Sequence, residues 1–377
     1  RAVRTRRCID AGLPQAHGRR ARRGDHFAGE GLSVRDPAVE ADVLRRCQAA
    51  LPAWRGTSVD DFVFDPPKGF SSFTMGVRAR RDLDPPAVLY RHLDGKENAI
   101  LDAATERRTF LLLGQAGIAA RCLHYADDHR IEQFYDGRTL TAADVFDPEI
   151  QRGIADELFA LHQLEPAGLP ERTYFELLPE QWRPLAEPVL GARRSELPTD
   201  EQELCDDLLA LFDDDTLAKV RACLPAGPPV FCHNDTYHGN VFRLVDGSIK
   251  LLDFEFSCLN HPAFDFANLF AETVMEHGLT DPPYFRINEP AFTDDDLRSI
   301  VGYYLDNRSF ADDAERLADR DRLVAETKRA LLLSDYMYAM AALPLALEPI
   351  QKIRFIPYAL QRFAKFLRSW DAEFGTG

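Results

Sequence analysis

The residues with the clearest potential for chemistry are Asp235, Asn240 and Asp253, which follow one another within a short stretch of the chain. A carboxylate that can receive a hydroxyl proton, followed by an amide and a second carboxylate that can bind a hard cation, is the order found in phosphoryl-transfer sites. Each residue alone is weak evidence, whereas the order and spacing together are more specific. The pattern therefore predicts Asp235 as a catalytic base and Asn240 and Asp253 as metal ligands.

A predicted β-hairpin positions the two metal ligands. Residues 240–245 and 248–253 have the composition of strands, and Asp246-Gly247 between them suits the positive φ angles of a two-residue type I′ turn. In that register Asn240 lies directly opposite Asp253, and opposed residues have Cβ atoms about 4.5 to 5.5 Å apart. One ion could therefore bind both side chains. The alternative interpretation is that the aspartates of this region only cap turns.

The ligand chemistry predicts Mg²⁺ and a nucleotide. Carboxylate and amide oxygens are hard ligands, no Cys/His cluster surrounds them in the sequence, and Mg²⁺ would take its remaining ligands from water and the phosphates of ATP. The N-terminal part of the chain should then supply a turn and a cation for those phosphates. Gly69, Ser71 and Ser72 are the candidates for the turn. Arg91, on a predicted strand, is the candidate cation, with Glu106 on the next helix as its partner.

The order of the predicted elements indicates an α+β fold with two lobes. Residues 36–136 alternate between helical and strand patterns, whereas residues 137–377 are mainly helical apart from the hairpin. This order predicts a bilobal protein-kinase-like fold, with a small strand-rich N-lobe that binds nucleotide and a larger helical C-lobe that carries the catalytic loop, metal hairpin and substrate pocket. Residues 166–198 are rich in proline, and we expect an irregular functional insertion there. Residues 265–277 are expected to form one helix.

The composition argues against several classes of protein. With 377 residues, of which 45% are hydrophobic, the chain can bury a large core. A formal net charge of -16 argues against a nucleic-acid-binding protein and is compatible with a small cationic substrate. The seven cysteines form no CxxC pair, which argues against zinc and disulfide frameworks and favours a reducing, cytoplasmic setting. No uninterrupted apolar run is long enough to predict a transmembrane segment.

The first 35 residues are set apart by their charge. Eight arginines and a single acidic residue, Asp10, occur among the first 23 positions, without a convincing apolar face. An Arg-rich, acid-poor start can be a transit peptide. A disordered tail, a fragment end or a mistranslated leader is nevertheless the expectation for residues 1–35.

Several motifs together resemble the choline/ethanolamine kinases, which are relatives of the aminoglycoside phosphotransferases within the kinase-like superfamily. The residues that carry the resemblance are 231–241, 252–256, Asn260, 263–268 and Glu272. Weaker likeness extends over about residues 60 to 370. By this resemblance the base, the metal ligands and the nucleotide-binding pair have the roles given above, and His233 and Asp265 organise the catalytic loop.

The same resemblance implies a kinase that uses ATP and Mg²⁺ to phosphorylate the hydroxyl of ethanolamine, choline or both, as the first step towards a phospholipid head group. Choline kinases usually carry two tryptophans three residues apart, in a cage that holds the quaternary ammonium by cation–π attraction. The aligned residues here are Tyr338 and Ala341, so one wall of the cage is missing. Phe256, Tyr338, Tyr358 and Glu272 remain the candidates for substrate contacts. The depleted cage favours ethanolamine or dual use.

Two alternatives stay open. One is a kinase of another small hydroxyl compound, such as an aminoglycoside, with the same chemistry and a different pocket. The other is a catalytically silent kinase-like protein, which is favoured by Lys68 and Ser72 because the family has glycine and asparagine there, in the phosphate-facing turn. The intact Asp235, Asn240 and Asp253 argue against silence. Assembly as a homodimer is also left open.

Overall fold

The computed structural model of the chain describes residues 36–66, 73–93, 102–347 and 353–375. Up to residue 136 the described chain combines a five-stranded sheet with two α-helices, and helices dominate beyond it. The predicted tail at residues 1–35 and the predicted turn residues Gly69, Ser71 and Ser72 lie outside the described residues.

A five-stranded antiparallel sheet forms the centre of the N-terminal part. Its strands, in the spatial order β1-β2-β3-β5-β4, are β1 (Phe62–Phe64), β2 (Thr74–Ala79), β3 (Ala87–His92), β4 (Cys122–Tyr125) and β5 (His129–Gln133). Val88 and Tyr90 on β3 are fully buried. Their spacing of two residues is the one expected when one face of a strand is buried. They share a hydrophobic cluster with apolar residues of α1 (Pro37–Ala50). This sheet carries Arg91 on its central strand.

Both long helices of the N-terminal part begin at an aspartate. Asp36 accepts a hydrogen bond from the Ala38 amide at 2.8 Å at the start of α1. Asp102 accepts one from the Thr105 amide at 2.9 Å at the start of α2 (Ala103–Gln115). Each carboxylate satisfies an amide that the first helical turn leaves unpaired. The start of α2 places Glu106 in its first turn.

The C-terminal part contains the other helices and the short strands of the described chain. The helices are α3 (Pro148–His162), α4 (Tyr174–Leu190), α5 (Thr199–Gln202), α6 (Cys205–Leu208), α7 (Asp214–Cys223), α8 (Pro262–Ala271), α9 (Asp294–Leu305), α10 (Asp313–Leu345) and α11 (Phe355–Phe374). Three strands form one sheet in the order β6 (Gly137–Thr139), β8 (Val241–Leu244) and β9 (Ile249–Leu251). The other strands form pairs: β7 (Val230–Cys232) with β10 (Cys258–Asn260), and β11 (Met275–His277) with β12 (Phe285–Ile287). None of the helices in the described ranges has the length and apolar character needed to cross a bilayer.

The long helix α10 organises the core of the C-terminal part. It packs against α4, α8, α9 and α11. Most residues between Leu332 and Leu343 are buried, as expected for a helix that has neighbours on several sides. The same stretch includes the charged residue Asp335, which is also buried.

The register of the metal hairpin differs from the prediction by one residue. Val241 lies opposite Leu251, so Asn240 faces Leu252 and not Asp253. The Leu252 amide donates to the Asn240 carbonyl at 2.8 Å. The prediction was wrong because the loop has three residues, 245–247, whereas a type I′ turn has two. Among these three residues only Gly247 has a positive φ, 89°, as in a three-residue loop with a bulge.

The proline-rich segment forms a helix, so the prediction of an irregular insertion is wrong for most of residues 166–198. α4 spans 17 residues and contains three prolines. A proline inside a helix removes a backbone hydrogen bond and normally kinks or breaks the helix. Here Pro184 and Pro188 are exposed, whereas Leu178 and Trp182 on the other side are buried. Packing of the apolar side therefore outweighs the local propensity.

The helix predicted over residues 265–277 is displaced. α8 begins at Pro262 and ends at Ala271, and the last residues of the predicted range form strand β11. The β-branched residues Thr273 and Val274 follow α8, and the strand satisfies its backbone groups by pairing with β12. The apolar period of the sequence did not mark this end of the helix.

Candidate active site

The loop that carries Asp235 is held by Asp265 in the first turn of α8. The Asp265 carboxylate accepts hydrogen bonds from the backbone amides of His233 at 2.9 Å and Asn234 at 2.8 Å. Asn234 has a φ of 67°, an uncommon conformation outside glycine, and its side-chain amide donates to the Phe256 carbonyl at 2.9 Å. These bonds fix the path of the chain immediately before Asp235.

Asp265 and His233 are buried, and their partners determine their ionisation. Burial alone would raise the pKa of the Asp265 carboxyl, but His162, whose Nε2 lies 3.0 Å away, helps to hold that pKa below its usual value. Burial lowers the pKa of His233. Its Nε2 donates to the Leu252 carbonyl at 2.8 Å and its Nδ1 accepts from the Asp235 amide at 3.2 Å, as a neutral imidazole can. His233 thus links the Asp235 loop to the segment that follows β9.

Both oxygens of the Asp235 carboxylate accept hydrogen bonds. Oδ1 accepts from the Tyr338 hydroxyl at 2.6 Å, and Oδ2 accepts from the side-chain amide of Asn240 at 2.8 Å. The same amide nitrogen donates to the Asp235 carbonyl at 3.0 Å, so the side-chain oxygen of Asn240 is the end left to bind an ion. Asp235 keeps part of its surface exposed. Because each carboxylate oxygen has two acceptor sites, the carboxylate can accept further hydrogen bonds.

Three other carboxylates act on that of Asp235: those of Asp253, Glu255 and Glu272. Burial and the charges of these three carboxylates raise the pKa of Asp235 well above its usual range. The hydrogen bond from Tyr338 opposes part of this rise. Burial and then the charge of Asp253 raise the pKa of Glu255 to about 7. A divalent cation among such groups relieves their repulsion. With the hard oxygens of Asn240 and Asp253, the donor set therefore fits Mg²⁺.

One face of the N-terminal sheet carries two arginines that share a carboxylate. Arg91 on β3 forms an ion pair with Glu132 on β5 at 3.4 Å, and Arg130 forms one with the same carboxylate at 2.6 Å. Burial raises the pKa of Glu106, while the charges of Arg130 and Arg91 lower it, so the predicted partner of Arg91 lies near both arginines. Arg130 also stacks on Phe110, 3.9 Å from the ring centroid. Sequence reasoning gave Arg130 and Glu132 no role at the site, although their spacing of two on one strand puts them on the same face.

The family model for choline/ethanolamine kinases matches residues 69–367, which include every residue of the site described above. The chain belongs to this family. Among the curated relatives, the probable choline kinase 2 of Arabidopsis thaliana is 27% identical over 286 residues, which cover 74% of this chain and 76% of that protein.

Two solved structures from the choline/ethanolamine kinase family share the fold. A choline kinase from Cryptosporidium parvum has a TM-score of 0.67 and 20% identity, and the match covers 88% of this chain and 95% of that one. An ethanolamine kinase from Plasmodium vivax has a TM-score of 0.64 and 21% identity, covering 90% and 93%. The predicted α+β, bilobal protein-kinase-like fold is therefore confirmed. As a member of the choline/ethanolamine kinase family, the protein is a phosphotransferase with an alcohol group as acceptor.

A buried arginine, Arg362 on α11, lies among the residues predicted to contact substrate in this member of the family. Its side chain is 0% exposed and forms ion pairs with Glu272 and, at 2.8 Å, with Asp335. Its guanidinium lies over the ring of Tyr338 at 5.0 Å and over that of Tyr358 at 5.2 Å. Three predicted substrate residues, Glu272, Tyr338 and Tyr358, are thus brought together around an internal cation.

Sequence reasoning missed Arg362 and its partner Asp335, although one signal was present. Each is a charged residue within the buried stretch of a helix, α11 and α10 respectively. A charge in such a position needs a partner. The sequence did not name that partner, because Arg362 is 27 residues from Asp335 and 90 residues from Glu272.

Phe256, the fourth predicted substrate residue, lies beside the catalytic loop. Its carbonyl accepts from Asn234, and its ring packs on Trp182 of α4 with 5.9 Å between centroids. We call the surroundings of the four predicted substrate residues, Phe256, Glu272, Tyr338 and Tyr358, the acceptor region. Phe256 is partly exposed, so it stays a candidate for the wall of this region. The helix that was predicted to be an irregular insertion therefore supports this wall.

Replacing Arg362 with methionine should destabilise the protein strongly. Glu272 would be buried without its counter-charge and Asp335 would keep only Lys365, and breaking a buried pair costs about 3 to 5 kcal/mol. The free energy of unfolding in urea measures the effect. Arg368→Met, at an exposed position of the same helix, should change it by less than about 0.5 kcal/mol. Equal stability of the two variants would contradict a stabilising role for the buried ion pairs.

Proposed function

We propose that this protein transfers the γ-phosphoryl group of ATP to the hydroxyl of ethanolamine or choline, with Mg²⁺ as the metal. The observation that carries the proposal is the pair of hydrogen bonds that orient the Asp235 carboxylate beside Asn240 and Asp253. A base next to a metal-binding pair is the arrangement that phosphoryl transfer to an alcohol requires. Membership of the choline/ethanolamine kinase family supports the same reaction class.

Asp235 would orient the acceptor hydroxyl and take its proton while the new phosphate ester bond forms. Both carboxylate oxygens are held, so little rearrangement is needed to reach the reactive geometry. The side-chain oxygen of Asn240 and the carboxylate of Asp253 would hold the ion; Mg²⁺, when bound, neutralises charge on the phosphates. Arg91 would add positive charge from the N-terminal sheet, where Glu132 keeps its side chain in place.

The acceptor region suits a primary ammonium better than a quaternary one. Trimethylammonium has no N–H donor and depends on aromatic faces. One face of Tyr338 and one face of Tyr358 already carry the Arg362 guanidinium. A primary ammonium can also donate hydrogen bonds to a carboxylate such as that of Glu272. We therefore expect ethanolamine to be the preferred acceptor, with choline used less well.

Release of ADP from ATP tests the proposal. We expect turnover that depends on both Mg²⁺ and an amine, with a higher kcat/KM for ethanolamine than for choline, and only background release when the amine or the metal is omitted. Turnover with choline alone would contradict the acceptor preference. If neither amine supports turnover, the proposed function is contradicted. An aminoglycoside and other small alcohols in the same assay would then separate a kinase of a different acceptor from a catalytically silent protein.

Three further features belong to the same proposal. The product would be the first intermediate on the way to a phospholipid head group. The cytoplasm is the proposed location, supported by the free thiols of the described cysteines. Assembly as a homodimer stays a prediction, open to size-exclusion chromatography.

A further inference from the structure

Tyr338 contacts the proposed base in addition to lining the acceptor region. Its hydroxyl donates to Oδ1 of Asp235 at 2.6 Å and accepts from the side-chain amide of Asn268 at 3.2 Å. Its alignment with a cage tryptophan of choline kinases predicted only a contact with substrate. The hydroxyl therefore has a partner that the sequence did not indicate.

A chain of hydrogen bonds ends at this contact. The Asn268 amide nitrogen also donates to the carbonyl oxygen of Thr236 at 3.2 Å, and because a carbonyl can only accept, the orientation of the Asn268 amide is fixed. The Ser334 hydroxyl then donates to the side-chain oxygen of Asn268 at 2.7 Å. Each group therefore donates to the next one along the chain, from Ser334 through Asn268 and Tyr338 to Asp235. Hydrogen bonds aligned in one direction polarise and strengthen one another.

The fold leaves Tyr338 little freedom to move. Ser334 and Tyr338 are four residues apart, which puts them on the same face of α10, and Asn268 lies on α8, which packs against α10. Ser334 and Asn268 are fully buried. The tyrosine ring lies against the guanidinium of Arg362, which is itself held by its ion pair with Glu272. The hydroxyl is therefore presented to the carboxylate in a fixed geometry.

We propose that Tyr338 is a positioning residue for phosphoryl transfer, which holds the Asp235 carboxylate in the orientation that meets the acceptor hydroxyl. This inference rests on the proposed role of Asp235 as the base. Asn240 holds only Oδ2, and the torsion that turns a carboxylate about its Cβ–Cγ bond is broad. A misplacement of about 1 Å can cost about 10²-fold in rate. Tyr338 should therefore act on kcat and leave binding unchanged.

Tyr338→Phe removes the hydroxyl and keeps the ring. We expect kcat with ethanolamine to fall by about 10²-fold, while KM for ATP and for ethanolamine stays near the wild-type values. Ser334→Ala, at the far end of the chain of hydrogen bonds, should lower kcat in the same direction by a smaller factor. A wild-type kcat in Tyr338→Phe, or a change in KM alone, would overturn the inference.

Tyr336→Phe is the matched control for this substitution. Tyr336 lies on the same helix, and its buried hydroxyl donates to the Leu211 carbonyl at 3.2 Å, away from Asp235. Its loss should lower the unfolding temperature and leave kcat unchanged. A fall in kcat of equal size in both variants would show that the effect of Tyr338→Phe is one of packing, which would also overturn the inference.

Crystal structures of the wild type and of Tyr338→Phe give a readout that does not depend on turnover. We expect the Asp235 carboxylate to have one orientation in the wild type and to be rotated or split in the variant. An unchanged carboxylate would overturn the inference, because any loss of kcat would then have another origin. If the wild type shows no amine-dependent turnover, the proposed function fails, and this comparison still decides whether Tyr338 positions Asp235.

Discussion

Replacing Asp235 with asparagine should reduce ethanolamine-dependent ADP release by about 10²- to 10⁴-fold, the usual contribution of a positioned general base. Asparagine has nearly the same shape but cannot take the proton of the acceptor hydroxyl. Its oxygen can still accept from Tyr338. Its amide nitrogen, however, would face the amide nitrogen of Asn240, where the carboxylate now accepts at 2.8 Å. Two donors repel each other, so the side chain loses its orientation as well as its basicity, and the loss should appear mainly in kcat.

Steady-state kinetics with ATP, Mg²⁺ and ethanolamine measure this loss, and circular dichroism shows whether the fold is retained. Asp246→Asn is the control, because Asp246 is an exposed turn residue of the nearby hairpin, bonded to Ser248. It should keep the wild-type kcat. An Asp235→Asn enzyme as active as this control would show that Asp235 is not the base.

Residues of the candidate site that are close in sequence could be predicted as neighbours. The loop from Asp235 to Asn240 is so short that their contact survives an error in the hairpin register: Asn240 still donates to the Asp235 carboxylate, although it faces Leu252 across the strands. The fold class could be predicted for a related reason. The order of strands and helices along the chain depends on local patterns, and it fixes the two lobes before any long-range contact is known.

Contacts between distant segments could not be predicted. The sequence placed Glu272 and Tyr358 in the acceptor region but did not place Arg362 beside them, because a buried charge demands a partner without naming it. The helix α4 was missed for a similar reason. Its three prolines argue for a loop, and its packing against α10 and other elements of the C-terminal part explains why the helix forms.

Asp253→Asn should separate the stability of the site from its activity. Asp253 has a φ of 63°, a conformation that both aspartate and asparagine adopt more readily than most residues, so the backbone should be retained. The charge of Asp253 raises the pKa of both Asp235 and Glu255, which means that these carboxylates repel one another. Without Mg²⁺ we therefore expect the variant to unfold at a temperature no lower than that of the wild type.

With Mg²⁺ and nucleotide the expectation is reversed. Loss of the anionic oxygen of Asp253 should lower kcat/KM by at least about 10²-fold and weaken the Mg²⁺-dependent binding of ADP. Steady-state kinetics measure the fall in kcat/KM, and thermal unfolding in EDTA and in Mg²⁺-ADP measures the binding. Mg²⁺-ADP should raise the unfolding temperature of the wild type more than that of the variant. Equal gains would mean that Asp253 does not hold the ion. A larger increase in the wild type would mean that Asp253 helps to bind the cation, and a variant at least as stable as the wild type in EDTA would mean that the repelling carboxylates lower the stability of the metal-free protein.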